Sequence, residues 1–111
     1  MITVIVKMTV RPEKRKEFLQ TIVVMTEPSR KEKGCLSRGF YQDTGNQDSF
    51  VLLEEWATKA DLDRHVRSDW FQILRGTRDL FCEEPHVRFS LLSHAVPMSS
   101  VRPGLESVNL W

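Results

Sequence analysis

The sequence predicts an α+β domain in which four strands and two helices follow the order β-α-β-β-α-β. Three observations predict it. Four separate stretches read as strands, with apolar residues alternating at period two in the first and last and running continuously in the third. Between the first and second, and again between the third and fourth, apolar residues recur at three- and four-residue spacing. Clusters of turn-forming residues mark the junctions.

The first stretch places Ile2, Val4, Val6, Met8 and Val10 on one face of a strand. Arg11-Pro12-Glu13 then opens a helix, because proline suits a first turn and an acid complements the positive end of the helix dipole. Phe18, Leu19, Ile22, Val23 and Met25 form its apolar stripe, and a stop is predicted near Pro28. A polar turn over 29–34 closes on Gly34. The second strand is predicted from Cys35 to about Gln42. Turn formers over 43–48 lead into a third strand, Ser49 to Trp56, as a hairpin. Phe50, Val51, Leu52 and Leu53 are consecutive and apolar, which predicts burial on both faces.

Thr58 and Asp61 have the hydroxyl-then-acid spacing of a capping box and open a second helix, with Leu62 and Val66 on one face. Ser68 or Asp69 is read as the cap of a further segment carrying Trp70, Phe71, Leu74, Leu80 and Phe81. Pro85 ends that segment, and Val87 to His94 forms the last strand with Val87, Phe89 and Leu91 on one face. Two helical crossovers in a four-strand pattern place both helices on one face of an antiparallel sheet, the ferredoxin-like arrangement. Residues 1–94 account for this domain. Residues 95–111 end in Leu105, Val108, Leu110 and Trp111 and are expected to pack on their own or a partner subunit. Strands that are apolar on both faces need a cover on the side without helices, and a second copy of the sheet is the economical one, so a homodimer is expected.

Length and charge narrow the function. A chain of 111 residues suits one hydrophobic core. Sixteen basic against fifteen acidic residues give a net charge of +1, which offers neither a cationic face for nucleic acid nor a polybasic membrane anchor. The apolar N-terminus lacks a basic lead and reads as a strand, and no apolar run approaches the ~20 residues that span a bilayer, so a cytoplasmic protein is expected. Cys35 and Cys82 show no C-x-x-C spacing and read as free thiols. His65, His86 and His94 are scattered without metal-ligand spacing. Glycine-rich phosphate loops and a G-x-S-x-G elbow are missing too. No metal and no cofactor are expected.

What remains is a cluster of Glu54, Trp56 and His65, followed by Trp70 and Phe71. Gly34-Cys35, Tyr41 with Asp43, Phe50 to Leu53 with Glu55-Trp56, and Leu62, His65, Ser68 and Phe71 at three-residue intervals stand in an order and spacing that resembles antibiotic biosynthesis monooxygenase domains. The resemblance spans residues 2 to about 94. It implies a dimeric α+β barrel of ferredoxin-like units. It also implies oxidation of a small aromatic substrate, a phenol, quinol or polyketide, by O2 without metal or flavin. Such chemistry needs a dry aromatic-walled pocket, a base, and a donor or cation for the oxyanion. His65 is the expected base, since its ordinary pKa lies nearest neutrality. Trp56, Phe40, Trp70 and Phe71 are the expected walls, and Arg38 and Arg88 the expected oxyanion partners. One residue of register decides which sheet face each strand residue takes.

Plainer roles stand beside these: packing for the aromatics, ion pairs for the arginines, a solvated edge for Glu54 and Glu55. Relatives that degrade haem carry an asparagine on the first strand, a tryptophan at the place of His65 and a ligating histidine nine or ten residues later. Here Lys7, His65, and Leu74 with Arg75 stand instead, so haem degradation is not expected. A non-catalytic dimeric ligand binder and an isomerase of a small polar metabolite are the alternatives, since fold alone does not establish catalysis.

Overall fold

The structure, a computed structural model, describes residues 1–68, 76, 78–91 and 97–100, apart from the side chains at 25–27 and 29. Strand β1 (Ile2–Thr9) leads through a 3-10 turn, Pro12–Lys14, into helix α1 (Arg15–Arg30). Strands β2 (Cys35–Asp43) and β3 (Asn46–Trp56) form a hairpin, followed by helix α2 (Lys59–Val66). A second 3-10 turn, Arg78–Leu80, precedes strand β4 (His86–Ser90). The sheet is antiparallel in the order β2-β3-β1-β4. This is the ferredoxin-like α+β fold.

Register decides what each strand contributes. Val4 lies opposite Glu54 and Phe89, Met8 opposite Phe50, and Arg38 opposite Glu54. Directly paired residues share a face. The even-numbered residues of β1 therefore face the helices together with Phe50, Leu52, Glu54 and Trp56 of β3. Their burial follows: Met8, Val10, Phe18, Ile22, Phe50 and Leu52 form one core cluster, and Ile2, Val4, Trp56 and Leu62 a second.

Several predicted boundaries move. Helix α1 continues two residues past Pro28. A proline in the last turn removes a single backbone hydrogen bond, too little to end the helix ahead of it. Val23, assigned to the apolar stripe, is 72% exposed, while Phe18 and Ile22 carry the burial. The six-residue turn contracts to Thr44-Gly45. Asp43 Oδ1 accepts the Gly45 N–H at 2.7 Å, and Asn46 Oδ1 accepts the Asp48 N–H at 3.0 Å, so the turn formers continue the strands.

Thr58 caps α2 as its spacing predicts. Its hydroxyl accepts the Asp61 N–H at 3.1 Å and donates to Asp61 Oδ2 at 2.8 Å. Strand β4 begins at His86 and ends at Ser90. Trp70, Phe71, Leu74 and most of the 95–111 extension lie outside the described residues.

The side of the sheet away from the helices is only half covered. Ile5, Val51 and Leu53 are of intermediate burial there, where burial on both faces was expected, because no described element packs on that side. Among the described residues no helix is long and apolar enough to cross a membrane. Cys35 and Cys82 are free thiols.

Candidate active site

His65 sits three residues after Leu62 on α2, on the same inward face, and is 1% exposed. Strand alternation sends Glu54 and Trp56 of β3 to the same layer, and pairing sets Arg38 of β2 opposite Glu54. The loop between α1 and β2 adds Glu32. Its position depends on Gly34, whose φ of +84° is favoured only by glycine and whose added Cβ would fall 2.2 Å from the Asp61 carboxyl. The Ala57 N–H donates to the Gly34 carbonyl at 2.8 Å, so this loop is tied to the entry of α2.

These elements assemble a polar chain in a dry layer. His65 Nδ1 lies 2.8 Å from Glu32 Oε2, and His65 Nε2 lies 3.4 Å from Glu54 Oε2. Glu54 accepts the Trp56 Nε1–H on Oε1 at 3.2 Å and is ion-paired to the Arg38 guanidinium through Oε2. The Trp56 indole lies against the imidazole, with ring centroids 4.5 Å apart.

Burial is the largest influence on the titrating groups. It lowers the His65 pKa below the ordinary 6.5, helped by the Arg38 charge and opposed by Glu32 through its hydrogen bond and charge. Burial likewise draws Arg38 down to about 10, still protonated at neutral pH. His65 is therefore neutral at pH 7. A neutral imidazole carries one ring proton, which can sit on Nδ1 facing Glu32 or on Nε2 facing Glu54.

A cavity of about 330 Å³ lies between the sheet and the helical layer. Its walls are mainly apolar, with Val4, Leu52, Leu62 and Phe89 among them, and His65 and Glu54 are polar groups on the wall. That volume is at the lower end of ligand pockets, roughly 300–1,000 Å³.

Of the predicted site residues that the structure describes, His65 alone lies on the cavity wall. Trp56 is fully buried behind it, packed with Ile2, Val4 and Leu62, and it orients the imidazole and Glu54. Arg38 is buried against Glu54, one layer back from the cavity. Phe40, expected as a wall, belongs to the other core cluster, stacked on Phe50 at 5.4 Å. Arg88 lies opposite Ile5 on the far face of the sheet and is exposed, which removes it from the site. Trp70 and Phe71 lie outside the described residues.

Glu54 reverses its expected place at a solvated edge, being 2% exposed. The alternation that turns Trp56 inward turns Glu54 inward as well. Glu55 takes the other face, where it accepts the Ser37 hydroxyl at 2.6 Å. Glu32 had no sequence signal. Among the described residues no group of three or more His, Cys, Asp or Glu side chains is arranged to hold a metal.

Comparison with known proteins places this architecture. Residues 1–75 match the family model described as antibiotic biosynthesis monooxygenase. The chain belongs to this family. An uncharacterised protein of Synechocystis is 34% identical over 80 residues, 71% of this chain and 54% of its own length. A Bacillus subtilis protein, YcnE, named only provisionally as a monooxygenase, is 35% identical over 63 residues, 57% of this chain and 66% of its own length. The chain thus spans between half and two thirds of the curated relatives it matches. A conserved protein of Methanosarcina mazei shares the fold at a TM-score of 0.76 and 34% identity, covering 80% of this chain and 89% of that one.

Proposed function

We propose that this family member oxidises a small phenol or quinol with O2 inside the cavity, without metal or flavin, and works as a homodimer. The observation that carries the reading is His65: a buried imidazole on a mainly apolar cavity wall, with Nδ1 2.8 Å from Glu32 and Nε2 3.4 Å from Glu54.

The chemistry follows from these groups. The substrate O–H gives its proton to His65 Nε2, leaving a phenolate in a site of low polarity. The imidazolium so formed lies between Glu32 and Glu54, which stabilise its charge. Triplet oxygen takes one electron from the phenolate. The resulting superoxide joins the substrate radical at the ring carbon para to the oxygen, forming a peroxide anion. His65 returns its proton to give the hydroperoxide. Loss of water from that carbon, which carries one hydrogen, leaves a carbonyl. One oxygen atom enters the product and the other leaves as water, so a phenol and O2 yield a quinone and H2O.

Apolar residues on the sheet face away from the helices support the dimer. Ile5, Val51 and Leu53 lie there, and Tyr41, paired with Val51, is 56% exposed. Face-to-face packing of two sheets should bury more than about 1,000 Å². Sedimentation at micromolar concentration should give twice the chain mass, and a monomer would contradict this part of the reading.

Incubation with a panel of one- to three-ring phenols under 18O2 tests the reaction. One labelled oxygen is expected in the product and one in water. Binding of the panel without oxygen consumption would make the domain a ligand binder instead.

A further inference from the structure

Glu32 lies outside the cavity and touches no substrate in the reaction above, yet it lies 2.8 Å from the imidazole at Nδ1. Its side chain is 24% exposed, against 1% for His65 and 3% for Glu54. The ring is thus spanned by two carboxylates from different elements, one reaching towards solvent and one on the cavity wall. Each can accept a ring proton, and a neutral imidazole has only one to give. The winner decides whether the cavity-side nitrogen is a base or a donor.

We infer that Glu32 is the positioning residue that fixes the His65 tautomer, holding the proton on Nδ1 so that Nε2 remains a base, and that it offsets the charge of the imidazolium. Distances favour this assignment, since Glu32 approaches 0.6 Å closer than Glu54 (3.4 minus 2.8 Å). Competition favours it too. Glu54 already accepts from Trp56 and is ion-paired to Arg38, so its oxygens are engaged without the imidazole. Among the described residues the charged groups facing the ring are Glu32 from the loop, Glu54 from β3 and Arg38 from β2. Of these three only Glu32 reaches solvent, so removing its charge leaves no buried ion unpaired. Gly34 completes the device by allowing the loop to lie against Asp61 and aim Glu32 at α2.

The inference rests on His65 acting as the base, but its test needs no substrate. Nitrogen-15 spectra of the histidine side chains, assigned by comparison with the His65→Ala protein, report the tautomer and pKa directly. In the native protein His65 should be protonated on Nδ1 in its neutral form. In Glu32→Ala the proton should move to Nε2, where Glu54 accepts it. In Glu32→Gln the amide oxygen still accepts, so the tautomer should persist while the imidazole pKa falls. An Nε2 proton in the native protein, or an unchanged tautomer in Glu32→Ala, would overturn the inference.

If phenol oxidation is found, Glu32→Ala should lower kcat at least tenfold with KM nearly unchanged, and Glu32→Gln should lower it less. A kcat unmoved by Glu32→Ala would overturn the positioning role. A tautomer switch in a protein that oxidises no phenol would uphold the positioning and sink the oxygenase reading alone.

Discussion

The helical face of the sheet is built from two different materials. Around Phe18 it is hydrocarbon: Phe40, Phe50 and Phe81 place their ring centroids 5.2 to 5.7 Å from that of Phe18. Around Trp56 the same strands deliver Glu54 and Arg38, and α2 adds His65, all buried to a similar depth. Alternation treats both ends alike and turns every second residue inward whatever its chemistry. The aromatic end gains stability from area and packing. The polar end buries charges whose mutual attraction must offset their desolvation, and such pairs add little net stability. What that end holds instead is a buried imidazole on a cavity wall.

The largest expected effect breaks the comparison at its aromatic end. Phe18→Ala should cost about 3–5 kcal/mol, the usual range for emptying an aromatic site in a core, with the His65 resonances unmoved. Denaturant titration measures the first and nitrogen-15 spectra the second. Comparable damage is expected at the polar end for a different reason. Glu54→Leu strands the buried Arg38 guanidinium and should cost about 3–5 kcal/mol, whereas Arg38→Met combined with Glu54→Leu should recover most of that loss. If the double variant is no more stable than the single one, the ion pair is not the coupled unit described here.

Those positions were unevenly legible in the sequence. The inward set of β1 follows from its period two, and Trp56 and Glu54 turn inward together once the same period is carried through β3. Glu54 was assigned to an edge because carboxylates are seldom buried unpaired. Its partner, Arg38, lies sixteen residues away, and hairpin register alone brings them face to face. Arg88 left the site by the alternation of its own strand, in which Val87 and Phe89 take the helical face. Phe40 had the right face and the wrong end of the sheet. Glu32 could not be found locally, since its contact with His65 spans thirty-three residues and depends on the loop conformation at Gly34.

A smaller effect tests that loop. Gly34→Ala should cost about 1–2 kcal/mol for the left-handed backbone alone, with more from the clash at Asp61, and should loosen the Glu32–His65 contact. A melting curve and the His65 tautomer in that variant check both parts. Smallest of all is the pH dependence. Burial holds the His65 pKa below its unfolded value near 6.5, so the unfolded chain binds the proton more readily. Stability from this group is present above pH 6.5 and declines as pH falls from there through the folded pKa. Comparing melting temperatures at pH 7.5 and 5.5 should show a larger drop in the native protein than in His65→Ala, and equal drops would remove the coupling.

The account turns on one basic nitrogen at a cavity wall. Oxygen uptake by the native protein and by His65→Ala, with the phenol that the native protein oxidises fastest, tests it most directly. The account predicts a loss of about a hundredfold or more in the variant, the scale of a positioned general base, at an unchanged stoichiometry of one O2 per phenol. A His65→Ala protein that consumes oxygen at the native rate would contradict it.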